Sequence, residues 1–399
     1  MRVLALDSRP DLDAELSRVG ADPASWGIFA AKAETVTLKF DGLSVATANI
    51  LKQSALVCGA DCAVHRDVIT GRVKHSDALL LGTPRQLAAL AGRLERQPDC
   101  AARLAPGLQL MLERCMSRRP AWRVGGRRLT LGGRTFVMGV VNVTPDSFSD
   151  GGRFFSPEAA VEQALKLEAD GADFIDLGAE STRPRARPVD PAEQVRRLRP
   201  VMRRLRRECR VPVSVDTMSA RVARAAAADG AAIVNDVSGL AADPAMAVTA
   251  KRTGLACVIM HMRGRPRTMQ RRPVYRDLMA EVLGALGSAV DRALDAGIAR
   301  DRLAVDPGIG FGKTFEHNHE ILRRLPELRT LGLPVMVGPS RKAFIGALTG
   351  EPVDRRVEGT IAACLAAAAG GANIVRVHDV GPVRKALAVF DAITARGRQ

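Results

Sequence analysis

At 399 residues the chain is too long for one ordinary domain and fits a large domain with a smaller companion. Hydrophobic residues make up 47% and charged residues 26%, which excludes a disordered chain, and with aromatics at only 4% the core must rest on Ala, Val, Leu and Ile. The formal net charge of +16 is spread along the chain with no aromatic residues interleaved as a base-stacking platform requires, so no nucleic acid partner is expected, whereas a mildly anion-attracting surface suits a phosphorylated substrate.

The opening segment, MRVLALDSRPD, lacks a basic stretch followed by a long apolar one, so it does not read as a signal peptide. No apolar run reaches the roughly 18 residues a membrane span needs, and no membrane partner is expected. Seven cysteines form no regular framework. Cys209, Cys257 and Cys364 lie in apolar or helical contexts, which points to reduced thiols and a cytoplasmic setting. Cys58, Cys62 and His65 lack a fourth ligand at sensible spacing and read as chance neighbours.

In chain order, residues 1–118 read as a small α/β domain. Strand-like pieces are Arg2–Leu6, Thr35–Phe40, Cys62–His65 and Ala78–Leu81; helix-like pieces are Val45–Val57, Pro84–Glu95 and Ala105–Met116. Arg118-Arg119-Pro120 is a plausible linker. A hairpin turning at Gly125-Gly126 follows, placed to plug the bottom of what comes next.

From residue 135 short Val- and Ile-rich runs alternate with helix-period stretches. The runs are Thr135–Val143, Phe174–Glu180, Val211–Thr217, Ala232–Ser238, Ala256–Met262, Leu303–Gly310, Pro334–Ser340 and Ile374–Val380. Near-continuous hydrophobicity marks parallel strands buried on both faces. The helical stretches are Pro157–Asp170, Pro191–Glu208, Ser219–Asp229, Asp243–Thr253, Tyr275–Ala296, His317–Leu331, Arg355–Ala369 and Gly381–Ala395, and Gly171, Gly230, Gly254, Gly297 and Gly332 stand as C-caps. Eight β-α pairs predict a (β/α)8 TIM barrel over residues 122–395; the rival, a doubly wound open sheet, more often has fewer strands and one glycine-rich nucleotide turn near its start.

In such a barrel the active site lies where the strands end, and here every strand end is polar. Asp216, Asn235 and Asp306 converge on one mouth and suit a ligand rich in ring N–H donors and carbonyl acceptors, such as a pterin. Lys342, Arg376 and His378 come from the last two strands, where barrels commonly bind phosphate, and three donors suit a diphosphate. Asn142 with substrate phosphate oxygens could hold Mg²⁺, which takes few protein ligands. Against these stand blander readings. Thr217 and Asp236 serve equally as helix caps or loop formers, His261 as a hydrogen-bonded core histidine, and one of Asp176 and Glu180 as a loop anchor. Gly312-Lys313-Thr314 mimics the end of a phosphate-binding P-loop, but Pro307 occupies the place of its first glycine.

Five segments carry a family resemblance. NVTPDSFSDGG (142–152), ESTRP (180–184), DPGIGFGK (306–313), SRK (340–342) and RVHD (376–379) closely resemble, in order and spacing, the signatures of dihydropteroate synthases, over roughly residues 122–395. The resemblance implies a transferase of folate biosynthesis that joins a pterin diphosphate to p-aminobenzoate, with sulfonamides mimicking the second substrate. It places Asp216, Asn235, Asp306 and Lys342 in the pterin pocket. Arg376 and His378 would sit on the diphosphate and Asn142 on Mg²⁺. Phe148, Thr182, Arg183, Pro184, Phe311 and Ser340 would form the p-aminobenzoate site. It further implies closing loops after the first two strands and a homodimer. Ala179, Ile309 and Arg263 depart from the family's usual Gly, Phe and Gln. Two rivals remain: a pterin-binding methyltransferase acting on a reduced folate, which has no need of the SRK and RVHD grip, and a non-catalytic scaffold built on a dead barrel.

Overall fold

The computed structural model describes residues 4, 9–117, 119–143, 156–180, 188–264, 269 and 273–394. The chain divides into two compact units, residues 1–116 and 117–399.

The first unit begins with helices α1 (Arg9–Val19) and α2 (Trp26–Ala33). Strand β1 (Val36–Ser44), helix α3 (Val45–Val57) and strands β2 (Asp61–Val64) and β3 (His75–Gly82) follow, then helices α4 (Pro84–Leu94), α5 (Asp99–Ala102) and α6 (Leu104–Met116). Strand β3 lies between the other two, antiparallel to both. Its alternate residues Ser76, Ala78, Leu80 and Gly82 are buried, the period-2 pattern of a sheet covered on one face. The cover is an apolar cluster of Leu51, Ala55, Leu87, Leu90, Leu94 and Leu108 from α3, α4 and α6. A capping box fixes the start of α4: Thr83 Oγ1 accepts from the Gln86 N–H, and Gln86 Oε1 accepts from that of Thr83. The expected strand Arg2–Leu6 lies outside the described residues but for Leu4. Helices α1 and α2 were not legible in the sequence; neither has a fully buried apolar stripe to reveal it.

The second unit opens with the hairpin β4 (Ala121–Val124) and β5 (Arg127–Thr130). It continues as β6 (Phe136–Asn142), α7 (Pro157–Ala169), β7 (Phe174–Gly178), α8 (Pro191–Glu208), β8 (Val213–Asp216), α9 (Ala220–Ala228), β9 (Ile233–Asp236), α10 (Met246–Thr253), β10 (Ala256–Met260) and α11 (Leu278–Asp295). The last part is β11 (Leu303–Asp306), α12 (Phe315–Arg323), β12 (Met336–Val337), α13 (Ala343–Thr349), α14 (Val357–Ala369), β13 (Ile374–Val377) and α15 (Val380–Ile393). Strands β6 to β13 form one eight-stranded parallel sheet, and a parallel bridge from Val305 to Val335 joins its two ends. This is the (β/α)8 barrel. The five glycines expected as C-caps all have positive φ, where a Cβ would be strained.

The expected helix over His317–Leu331 is broken. Helix α12 stops at Arg323 and a 3-10 helix runs Leu325–Leu331, because Pro326 has no N–H to give and its ring blocks the preceding turn. The unforeseen α13 sits directly after the SRK segment.

The barrel interior is layered. Outward residues such as Val141, Leu177, Val215, Ile259 and Val305 pack on the helices. Inward residues near the strand starts, Met138, Phe174, Ile233, Val258, Met336 and Ile374, pack on Trp122, Val124 and Leu131 of the hairpin segment. Trp122 is fully buried, meets Phe174 edge-on at 5.5 Å between ring centroids and donates its Nε1–H to the Arg302 carbonyl at 3.2 Å. The hairpin therefore seals one end, and the polar strand-end side chains lie toward the other. Trp122→Ala is expected to destabilise this unit by roughly 3–5 kcal/mol, read as a lowered denaturant midpoint with no change in slope.

Candidate active site

Strand register builds the mouth. Asn142 pairs across with Gly178, Gly178 with Asp216, and Asp216 with Asn235, so four neighbouring strands deliver one row. Asp306 stands opposite Met260 on the far side of β10. Gly178 leaves the row open at its centre: a Cβ there would lie 3.7 Å from that of Asp216 and 3.8 Å from Asn142 Oδ1.

Beneath the row sits a buried charge cluster. Arg376 reaches inward from β13; its Nε lies 2.6 Å from Asp176 Oδ2 and its Nη2 2.8 Å from Asp216 Oδ2. Asp176 Oδ2 also accepts from Asn235 Nδ2 at 3.0 Å. Burial pushes the Asp216 carboxyl well above the usual range, against the pull of Arg376 and with the neighbouring Asp176 and Asp236 charges adding to the rise. Asp306 is raised to about 6, again by burial, while the Gly308 N–H (2.7 Å to Oδ1) and Lys342 pull it back. Three buried polar atoms, Asp176 Oδ1, Ser214 Oγ and Asn235 Oδ1, have no hydrogen-bond partner among the described residues.

The phosphate side of the expectation is modified. Arg376 is not paired with His378 at a separate anion site but turned onto the carboxylates, because two largely buried acids without a counter-ion would be costly. Nor is His378 a cation: burial, then Arg376 and Arg341, push it down to about 3. Ser340 Oγ accepts from the His378 backbone N–H and lies 3.0 Å from Nδ1. A Ser340 proton donated to Nδ1 would leave the ring proton on Nε2 as a neutral donor. Ser340 is therefore placed on His378. Lys342 sets its ammonium over the Phe311 ring, 4.2 Å from the centroid. Phe148, Thr182, Arg183 and Pro184 lie outside the described residues.

Sequence reasoning missed three supports. Asp176 was read as an alternative loop anchor; that role belongs to Glu180, which accepts from the Val189 N–H and from Gln194 Nε2. Arg341 and Asp379 form a two-bonded ion pair (2.9 and 2.5 Å) that ties the SRK turn to the RVHD segment. Arg341 holds φ at 56°, a left-handed value that a non-glycine residue rarely adopts. Lys313 is buried, with Nζ at 2.9 Å from His261 Nδ1 and 3.1 Å from the Phe311 carbonyl. Burial lowers it to about 7 against the pull of Asp306. It clamps the β11 loop onto His261, the buried, hydrogen-bonded histidine the apolar context suggested. Gly308 and Gly312 allow that contact, since a Cβ would stand 2.0 Å from the His261 oxygen and 2.4 Å from that of Arg263. Thr217 and Asp236 take the blander roles: the Thr217 hydroxyl caps Ser219, and Asp236 binds the Ser238 and Leu240 N–H groups.

The barrel has close counterparts among known proteins. The pterin binding enzyme family model matches residues 138–378. The dihydropteroate synthase of Synechocystis sp. is 46% identical over 275 residues, 69% of this chain and 95% of that protein. The Escherichia coli K12 dihydropteroate synthase is 44% identical over 256 residues, 64% of this chain and 90% of that protein. Among solved structures, Xanthomonas albilineans dihydropteroate synthase with 4-aminobenzoic acid superposes with a TM-score of 0.65 at 46% identity, covering 69% of this chain and 99% of that one. The Yersinia pestis dihydropteroate synthase in complex with a sulfonamide drug gives 0.65 at 41% identity, covering 68% and 98%.

The two depressed histidines yield a prediction with a definite sign. His261, lowered by burial and Lys313, and His378 both fall to about 3, below the unfolded value of roughly 6.5. Their neutral forms therefore contribute stability that is full above that value and is lost as pH falls toward about 3. In histidine-labelled protein, assigned with His261→Gln and His378→Gln, both rings should keep neutral-imidazole chemical shifts from pH 8 down to roughly 5. A midpoint near 6.5 for either ring would contradict the burial described.

Proposed function

The chain belongs to the pterin binding enzyme family, and we propose a division of labour among its side chains for the dihydropteroate synthase reaction. The enzyme is a transferase: it condenses 6-hydroxymethyl-7,8-dihydropterin diphosphate with p-aminobenzoate, giving 7,8-dihydropteroate and diphosphate. The matched relatives named above are dihydropteroate synthases, and the methyltransferase and scaffold readings gain no support from them.

The observation that carries the assignment is the buried pair Asp216 and Asp306, facing Lys342 and Arg376 above polar atoms that have no partner among the described residues. Such a pocket is satisfied by a flat ring with N–H donors on one edge and a carbonyl on another. Asp216, Asn235 and Asp306 take the ring donors; Lys342 takes the carbonyl edge. Arg376 and the His378 Nε2–H take the diphosphate, which requires the Nη2 end of Arg376 to leave Asp216 as the ring arrives. Phe311 and Ser340 flank the arylamine, with Phe148, Thr182, Arg183 and Pro184 completing that site.

The bond between the pterin methylene carbon and the diphosphate oxygen breaks, and its electron pair leaves with the diphosphate. The arylamine nitrogen supplies the pair for the new C–N bond and then loses a proton. Arg376 and the His378 Nε2–H stabilise negative charge as it develops on the leaving group; the carboxylates stabilise positive charge on the ring.

A magnesium ion fits this mouth on the chemistry of its donors. Asn142 offers a hard carboxamide oxygen beside the open place left by Gly178, and among the described residues no group of three or more acidic, His or Cys side chains stands ready to cage an ion. Mg²⁺ held by Asn142, water and diphosphate oxygens would neutralise the leaving group.

We also propose a cytoplasmic homodimer. No described helix is long and apolar enough to cross a membrane, and all seven cysteines are free thiols. Sedimentation at micromolar concentration should give twice the chain mass.

Diphosphate release by the purified full chain, with Mg²⁺ and both substrates, tests the assignment directly. Asp216→Ala should lower kcat/KM for the pterin diphosphate by roughly 100-fold or more. Asn142→Ala should raise the Mg²⁺ needed for half-maximal rate by roughly tenfold or more. The carboxylates accept ring N–H groups most strongly when ionised, so kcat/KM should climb with pH through about 6 for Asp306 and about 7 for Asp216 before it levels. Asp306→Asn should flatten part of that limb; an unchanged profile would remove Asp306 from the pterin site.

A further inference from the structure

Asp176 is fully buried on β7, two residue pairs below the row that opens to solvent and on the same face of the sheet. One oxygen, Oδ2, takes both Arg376 Nε at 2.6 Å and Asn235 Nδ2 at 3.0 Å. A carboxylate held by a guanidinium only accepts hydrogen bonds. The Asn235 amide must therefore turn its NH₂ group toward Asp176. Its Oδ1, buried and without a partner among the described residues, is the atom left for whatever enters the pocket.

The guanidinium is constrained in the same way. Its two carboxylate contacts differ in depth: the Asp216 side chain keeps 10% of its surface exposed and that of Asp176 none. A ring docking on Asp216 displaces the Nη2 contact and leaves the Nε contact beneath untouched. Arg376 then stays tethered at one end while the other is freed to follow the leaving group.

From this geometry we infer that Asp176 is a positioning residue of the synthase: through Oδ2 it fixes which face of the Asn235 amide meets the pterin and holds the inner end of Arg376 while Asp216 exchanges Arg376 for the ring. The inference rests on the assignment of this pocket to the pterin. A purely structural ion pair accounts less well for the arrangement. Buried ion pairs contribute little net stability compared with apolar packing, and this one keeps Asp176 Oδ1 and its register neighbour Ser214 Oγ without partners among the described residues. A strand position that served stability alone would be filled, as the layer below it is, by an apolar side chain.

Two near-isosteric replacements separate the roles. Asp176→Asn keeps an acceptor oxygen where Oδ2 stands; Asp176→Leu removes it. Calorimetric titration of the full chain with 6-hydroxymethyl-7,8-dihydropterin diphosphate should show binding weakened roughly 10- to 100-fold in the Leu variant and only a few-fold in the Asn variant. KM for p-aminobenzoate should change little in either. Parent-like affinity in the Leu variant, equal losses in both variants, or a matching rise in KM for p-aminobenzoate would each overturn the inference. If the Leu variant does not fold, a crystal structure of the unaltered protein with the pterin bound decides. Asn235 Oδ1 on a ring N–H, with Nδ2 and Arg376 Nε still on Asp176, supports it; Asp176 touching the ring, or the amide reversed, overturns it. Failure of the unaltered protein to bind the pterin diphosphate would instead bring down the assignment of the pocket itself.

Discussion

Burying three acidic side chains around one guanidinium is the constraint on which the mouth depends. Asp176 and Asp306 are buried and the Asp216 side chain keeps 10% of its surface exposed, and Arg376 makes direct ion pairs with Asp176 and Asp216. Desolvation opposes the Asp216 and Asp306 carboxylates and raises both. A cluster of this kind is poorly satisfied on its own and better satisfied by a ligand that brings N–H groups to the acids and an anion to the arginine. The same imbalance that weakens the unliganded pocket makes it selective, because a ring without those donors would leave the acids as they are.

The rest of the barrel makes that imbalance tolerable. Trp122 and the inward apolar layer close one end with well-packed hydrophobic surface, so the site's polar groups gather toward the other. Around the rim the polar side chains are held by partners within the protein: Arg341 by Asp379, His378 by Ser340, Lys313 by His261 and the Phe311 carbonyl. These braces cost backbone strain at Arg341 and demand glycine at 308 and 312. Rigidity at the rim is what lets a site assembled from several different strands hold one geometry.

Architecture was more legible in the sequence than the internal pairing of the site. Buried parallel strands write themselves as continuous Val- and Ile-rich runs, and each of the eight expected runs contains an observed strand. Their ends were over-extended. Residues such as Val237 and Ile309 are buried and apolar yet belong to loops, since hydrophobicity reports burial rather than pairing. Asn142, Asp216, Asn235, Asp306 and Lys342 could be singled out because a polar residue after an apolar run stands out. Asp176 was passed over because it lies within such a run, where its role depends on Arg376, 200 residues away in sequence. No local pattern carries that information, nor the neutrality of His378, which follows from tertiary burial beside two arginines.

Arg263 shows how a departure from a family pattern can be absorbed. Its guanidinium stacks over the Tyr275 ring, 4.5 Å from the centroid, and pairs with Glu281 of α11 at 2.5 Å. Tyr275 in turn donates its hydroxyl to the Gly312 carbonyl at 2.8 Å. The longer, charged side chain is thus directed away from the carboxylate row and into a brace on the loop that carries Phe311. Being partly exposed, it keeps its charge solvated and avoids the desolvation that the buried Lys313 on the same loop must meet. The substitution alters what supports the rim without placing a new charge among the buried acids.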